Sequence, residues 1–192
     1  MMTRACLVWA CALALALPTS AHHQRTQHAN RMATGWPLAP FVLQDQRGAP
    51  LTQALLQGRW TFVLLGDTHC AQRCTEALVA LAGLRERIAR TEALKTTQVV
   101  FLSLDPVRDT PERLRAYLAD FDASFIGATG SETVLRQLVD DLALARDAES
   151  EASGHRGALV LIGPDLMVRV EYLPPYEMKL LTADYLTTRA RR

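Results

Sequence analysis

Two cysteines four residues apart, Cys70 and Cys74 in GDTHCAQRC, are the residues of this chain best suited to chemistry. On a helix that spacing places both sulfurs on one face, close enough for a disulfide or for a two-thiolate clamp on a metal. The pair follows WTFVLLG (60–66), a buried-strand pattern, and precedes Leu78, Leu81, Leu84 and Ile88, which recur at the three-and-four spacing of a helix face. It is therefore expected where a strand end turns into the first turn of a helix. Unpaired N–H groups and the positive end of the helix dipole stabilise a thiolate there and lower its pKa below the usual value of about 8.5. Ala71, Gln72 and Arg73 separate the cysteines, one residue more than in a Cys-x-x-Cys redox motif. Soft thiolates suit Cu(I), and one added imidazole makes a set that accepts both Cu(I) and Cu(II).

Two histidines are candidates for that imidazole. His155 directly precedes the strand pattern GALVLIG, and His69 is the neighbour of Cys70. The plainer readings are that the cysteines form a structural disulfide and that His155 is a surface-loop histidine. His22, His23 and His28 form a short histidine tract that reads either as a metal binder or as part of a solvated linker. Asp105 and Asp109, in DPVRDTPE, read as a turn and a helix cap, at most a second layer behind the cysteines.

The start of the chain bears on the state of these thiols. Arg4 precedes an apolar run from Ala5 to Leu17 that breaks at Pro18 and reaches the small residues Thr19, Ser20 and Ala21. That is the layout of a secretory signal, expected over 1–21, with an uncleaved N-terminal anchor as the alternative and lipidation at Cys11 as a third reading. The run falls short of the roughly 20 residues a spanning helix needs. Export, to the periplasm or on an anchor facing it, is the expectation. Cys6 and Cys11 leave with the signal, so Cys70 and Cys74 face an oxidising compartment, where thiols persist if catalytic, metal-bound or paired. With 21 basic and 20 acidic residues the chain is near neutral, which argues against a nucleic-acid surface. The remaining length suits one domain.

The elements that must position the cysteines follow from hydrophobic spacing. Residues 22–37 are polar and lack apolar period, and are read as an exposed linker before a domain over 38–192. QVVFLSL (98–104) is a second strand, Asp109-Thr110-Pro111-Glu112 opens a helix running to Phe121, and 124–128 is a short strand. Ser131 caps a helix to Asp141. GALVLIG (157–163) and MVRVEYL (167–173) are strands joined by the Gly163-Pro164-Asp165-Leu166 turn, and a final helix covers about 177–188. Strand, helix, strand, helix, hairpin and helix imply an α/β thioredoxin-like fold, a central mixed sheet flanked by helices.

Several of these segments, in order, resemble the SCO/SenC copper-chaperone family of the thioredoxin superfamily. They are FVLQDQRG, GDTHCAQRC, DPVRDTPE, FIGATG and HRGALVLIGPD, covering about 38–175. The resemblance implies copper bound by Cys70, Cys74 and His155, and delivery to the copper-site subunit of cytochrome c oxidase or reduction of that site's cysteines. It implies a metallochaperone more than an enzyme, with an exported thiol–disulfide oxidoreductase using Cys70 and Cys74 as the alternative, in which Cys70 attacks and Cys74 resolves. Another copper or thiol protein is the alternative partner, and a membrane is engaged only through an uncleaved anchor. The chain departs from the family pattern at Ala71 and Thr75, where prolines are usual, at Gly154, where an aspartate is common, and at Asp67, often an aromatic position.

Overall fold

The computed structural model describes residues 28–142 and 157–191. Among the described residues eight strands form one mixed sheet: β1 (Ala29–Pro37), β2 (Val42–Asp45), β3 (Pro50–Thr52), β4 (Trp60–Gly66), β5 (Thr97–Ser103), β6 (Ile126–Thr129), β7 (Leu159–Ile162) and β8 (Met167–Tyr172). Their order across the sheet is β1-β8-β7-β4-β5-β6-β2-β3. β4, β5 and β6 run parallel, and the other pairs run antiparallel. The helices among the described residues are α1 (Gln72–Ile88), α2 (Glu92–Lys95), α3 (Pro111–Ala119), α4 (Glu132–Asp141) and α5 (Met178–Ala190).

The central strands β4, β5 and β7 are buried along their whole length, because helices or loops cover both faces of the sheet. Alternate residues divide between two cores. Trp60, Phe62 and Leu64 pack with α1, α3 and α5, whereas Val63 and Leu65 pack with Leu135 and Leu138 of α4. The helix face expected from Leu78, Leu81, Leu84 and Ile88 is the buried face of α1. Thr110 caps α3, its hydroxyl accepting from the Arg113 amide with Pro111 in the first turn, and Ser131 caps α4 through the Val134 amide.

Two segments differ from the sequence reading. From Ala29 the stretch read as an exposed linker is β1, an edge strand paired with β8. Main-chain pairing needs no apolar period, so a polar edge strand leaves no hydrophobic signature. Its polar side chains are tied to the domain: Asn30 Nδ2 donates to Glu171 Oε2 at 2.9 Å, and Arg31 pairs with Asp184. The β2–β3 hairpin leaves no signal in the sequence, since strands of four and three residues are too short to show alternation. Its turn is set by Asp45, whose carboxylate accepts from the Arg47 and Ala49 amides at 2.8 and 2.9 Å, and by Gly48 at φ 79°.

Candidate functional site at the strand-to-helix turn

The site is built where β4 ends and α1 begins. Cys70 and Cys74 are joined by a disulfide, with their Cα atoms 5.7 Å apart. The two sulfurs stand in different surroundings: Cys74 is fully buried in the apolar core, whereas Cys70 is half-buried at the rim. Cys70 lies one residue ahead of the N-cap Ala71, so the pair brackets the start of α1 and only Cys74 lies within the helix. No side chain caps α1 and no acidic residue occupies its first turn. An uncapped helix start, with the positive end of its dipole, is a setting that favours a thiolate at the rim, whereas apolar burial favours the neutral thiol at Cys74.

Gly66, the last residue of β4, makes room for the buried sulfur. A Cβ at that position would lie 2.6 Å from Cys74 Sγ and 3.1 Å from the Phe101 ring. A glycine ahead of the cysteines is therefore a packing requirement.

The turn between strand and helix is held by two buried aspartates. Asp67 accepts the His69 amide on Oδ1 at 2.8 Å, and its carbonyl accepts the Cys70 amide at 3.0 Å. Asp109, fully buried, accepts the Thr68 amide at 2.9 Å, the Thr68 hydroxyl at 2.6 Å and the Ser103 hydroxyl at 2.6 Å. Asp105 is more remote, its amide donating to Ser103 Oγ at 3.1 Å and its carboxylate pairing with Arg108. DPVRDTPE is thus a turn and helix start that also delivers Asp109 to the cysteine turn. Sequence spacing gives no such signal, because Asp109 and Thr68 meet across 41 positions.

His69 is exposed, and its ring is held by neighbours on the cysteine turn and α3. Its Nε2 lies 3.0 Å from Arg113 Nη2, and a guanidinium can only donate, so this nitrogen's lone pair is engaged. Arg113 Nε also donates to Thr68 Oγ1 at 2.9 Å, placing the first turn of α3 over the cysteine turn. Tyr117, one turn further along α3, packs against Phe101 in a tilted arrangement with ring centres 5.5 Å apart. Burial pushes its hydroxyl pKa up, the Thr75 hydroxyl works against that, and the negative charges of Asp67 and Asp109 add to the rise.

His155, His22 and His23 lie outside the described residues, as do Gly154 and the segment 1–21 read as a signal. His28 precedes β1, remote in sequence from the cysteines, and its carbonyl accepts from the Leu173 amide at 2.8 Å. Among the described residues, no group of three or more His, Cys, Asp or Glu side chains is placed to hold a metal ion. Where the chain is described again, at Gly157, it sits against the cysteine helix. The Gly157 amide donates to Leu65 O at 2.7 Å, its carbonyl accepts from Tyr176 Oη at 2.6 Å, and a Cβ there would lie 2.8 Å from Arg73 Cβ. Its φ of 86° also requires glycine.

Comparison with known proteins bears on this site. A family model described as SCO1/SenC matches residues 33–186. A protein of Stutzerimonas stutzeri, named as a candidate copper-binding protein, is 33% identical over 141 residues, covering 71% of this chain and 69% of the relative. Protein SCO2, mitochondrial, of Saccharomyces cerevisiae is 38% identical over 92 residues, 48% of this chain and 30% of that longer protein. Among solved structures, yeast Sco1 with copper bound superposes with a TM-score of 0.69 at 24% identity, over 82% of this chain and 96% of the other. BsSco, described as a member of the Sco family of cytochrome c oxidase assembly proteins and for its disulfide switch, gives 0.65 at 18% identity, over 85% and 99%. These structures share the thioredoxin-like mixed sheet flanked by helices found here. With a family model over residues 33–186 and a 33% identical relative spanning 71% of it, this chain belongs to the SCO1/SenC family.

Proposed function

We propose that this protein binds copper through the Cys70 and Cys74 thiolates and His155, and passes it to a partner in the assembly of the cytochrome c oxidase copper site. The observation that carries the reading is the cysteine pair itself, one sulfur buried and one at the rim, at an uncapped helix start in a chain of the SCO1/SenC family. The donor chemistry fits: two soft thiolates suit Cu(I), and an imidazole extends the set to Cu(II). The competing donors are engaged elsewhere, Asp67 and Asp109 by amides and hydroxyls and His69 by Arg113. His155 is two residues from Gly157, a separation that extended chain covers in about 7 Å, and Gly157 is packed on Arg73 of the cysteine motif. The homologous yeast structure contains copper, and BsSco is described as belonging to a family of oxidase assembly proteins. We also infer that the apolar N-terminal segment directs export. No helix among the described residues is long and apolar enough to cross a membrane.

In the disulfide form neither sulfur can coordinate as a thiolate, so reduction by two electrons precedes metal loading. The uncapped α1 terminus then favours the thiolate at Cys70, and this half-buried residue is the sulfur a partner can reach, while Cys74 stays anchored in the core, where the metal itself must displace its proton. Anaerobic titration of the reduced protein with Cu(I) against a competing chelator tests this. One equivalent should bind tightly, Cys70→Ser or Cys74→Ser should abolish binding, and His155→Ala should weaken it by at least the roughly 10- to 100-fold typical of changes behind a metal ligand. Unchanged affinity in His155→Ala would sink the three-ligand set.

The unequal exposure of the two sulfurs also favours a second reading, thiol–disulfide exchange. There, in the reduced protein, the Cys70 thiolate attacks a partner disulfide and displaces one partner thiolate, and the Cys74 thiolate then attacks Cys70 Sγ in the mixed disulfide, forming the Cys70–Cys74 bond and releasing the second partner thiolate. Weak copper binding with a readily cycled disulfide would favour it.

A further inference from the structure

We propose that Asp109 is a positioning residue for the cysteine pair, holding the 67–70 turn so that the two sulfurs stay within bonding reach after the disulfide is opened. The proposal rests on the thiol chemistry common to both readings above and not on copper. The amides of Thr68, His69 and Cys70 donate in succession to the Asp109 carboxylate, the Asp67 carboxylate and the Asp67 carbonyl. The last two bonds are internal to the turn. The first crosses to another element, and the Thr68 hydroxyl doubles it at 2.6 Å. Ser103, at the end of β5, holds the same carboxylate from the other side at 2.6 Å, so Asp109, itself fully buried, ties strand, turn and the start of α3 together beneath the partly exposed Thr68. Charge-assisted bonds to a buried carboxylate hold geometry better than bonds made wholly at the surface.

While the disulfide is intact, Cys70 is fixed by its bond to Cys74. Once that bond is cut, the half-buried residue depends on the turn, and the turn depends on Asp109. A loosened turn lowers the effective concentration of one sulfur at the other, which makes the disulfide easier to reduce.

Equilibration of the full chain with glutathione and glutathione disulfide reads this quantity without a metal. The exchange consumes two glutathione thiols: the first attacks Cys70 and displaces the Cys74 thiolate, the second attacks the mixed disulfide, and the products are the protein dithiol and glutathione disulfide. Asp109→Asn should lower the equilibrium constant for forming the protein disulfide by about tenfold or more. Thr68→Val removes the hydroxyl but leaves the backbone donor and the buried charge, so it serves if the Asp109 variant does not fold. It should give a drop in the same direction, and Thr68→Ser should restore the parent value. Thermal unfolding of each oxidised variant separates positioning from general damage. A constant equal to the parent's in folded Thr68→Val would overturn the proposal, and so would a drop in Thr68→Ser as large as in Thr68→Val. Failure of every form, parent included, to bind Cu(I) would count against the copper reading and leave this result standing.

Discussion

Gly66 shows how one position couples the sheet to the chemistry. Its missing side chain is the space that Cys74 Sγ and the Phe101 ring occupy, at 2.6 and 3.1 Å from where a Cβ would stand. Both neighbours are fully buried, so neither can swing away. Gly66→Ala is expected to destabilise the oxidised protein by about 1–3 kcal/mol, the usual cost of overpacking a core, as measured by urea unfolding. An unchanged midpoint would mean that β4 can shift away from α1. At the same level of detail, the cysteine pair was legible as a motif, because its meaning lies in local spacing, whereas the packing role of Gly66 depends on Phe101 of another strand and was not. The engagement of His69 by Arg113 was not legible, since it joins residues 44 positions apart through an exposed side chain with no periodic signal.

Between elements, α1 and the turn after α3 are joined by Arg85 Nε donating to Asp122 Oδ2 at 3.0 Å, and Asp122 Oδ1 also accepts the Ser124 amide and hydroxyl. Burial pushes the Asp122 carboxyl pKa up, but the bonds from Ser124 and the Arg85 guanidinium outweigh it, and the net shift is downward. A carboxyl held below its unfolded value of about 3.9 contributes stability that is present above that value and lost as pH falls through the folded pKa. Stability measured by denaturant from pH 7 down to pH 3 should therefore fall less steeply at the acid end in Asp122→Asn than in the parent. Equal slopes would remove Asp122 from the acid response. The cap of α3 is separate from this network, and Thr110→Ala should cost about 1 kcal/mol at neutral pH. This cap was legible from Thr110, Pro111 and Glu112, because capping is written in adjacent residues. The contact of α3 with the cysteine turn was not.

For the molecule as a whole, β4, β5 and β7 lie at the centre of the sheet between two cores, and β1 and β3 lie at its edges. Native-state hydrogen exchange should find the slowest amides in β4 and β5 and faster exchange in β1 and β3; uniform protection would contradict this layering. The buried strands, the apolar face of α1, the serine and threonine caps, the thioredoxin-like order of the central elements and the chemistry available to a cysteine pair are all readable from the amino-acid order. Each of these is set by residues within a few positions of one another, through hydrophobic period, capping or donor type. The pairing of β1 with β8, the β2–β3 hairpin on the far edge, the burial of one sulfur and not the other, and the convergence of Asp109, Ser103 and Arg113 on the cysteine turn came only from the tertiary structure. They arise from main-chain pairing and polar contacts between segments distant in sequence, where no local pattern of side chains records which partner the chain will meet.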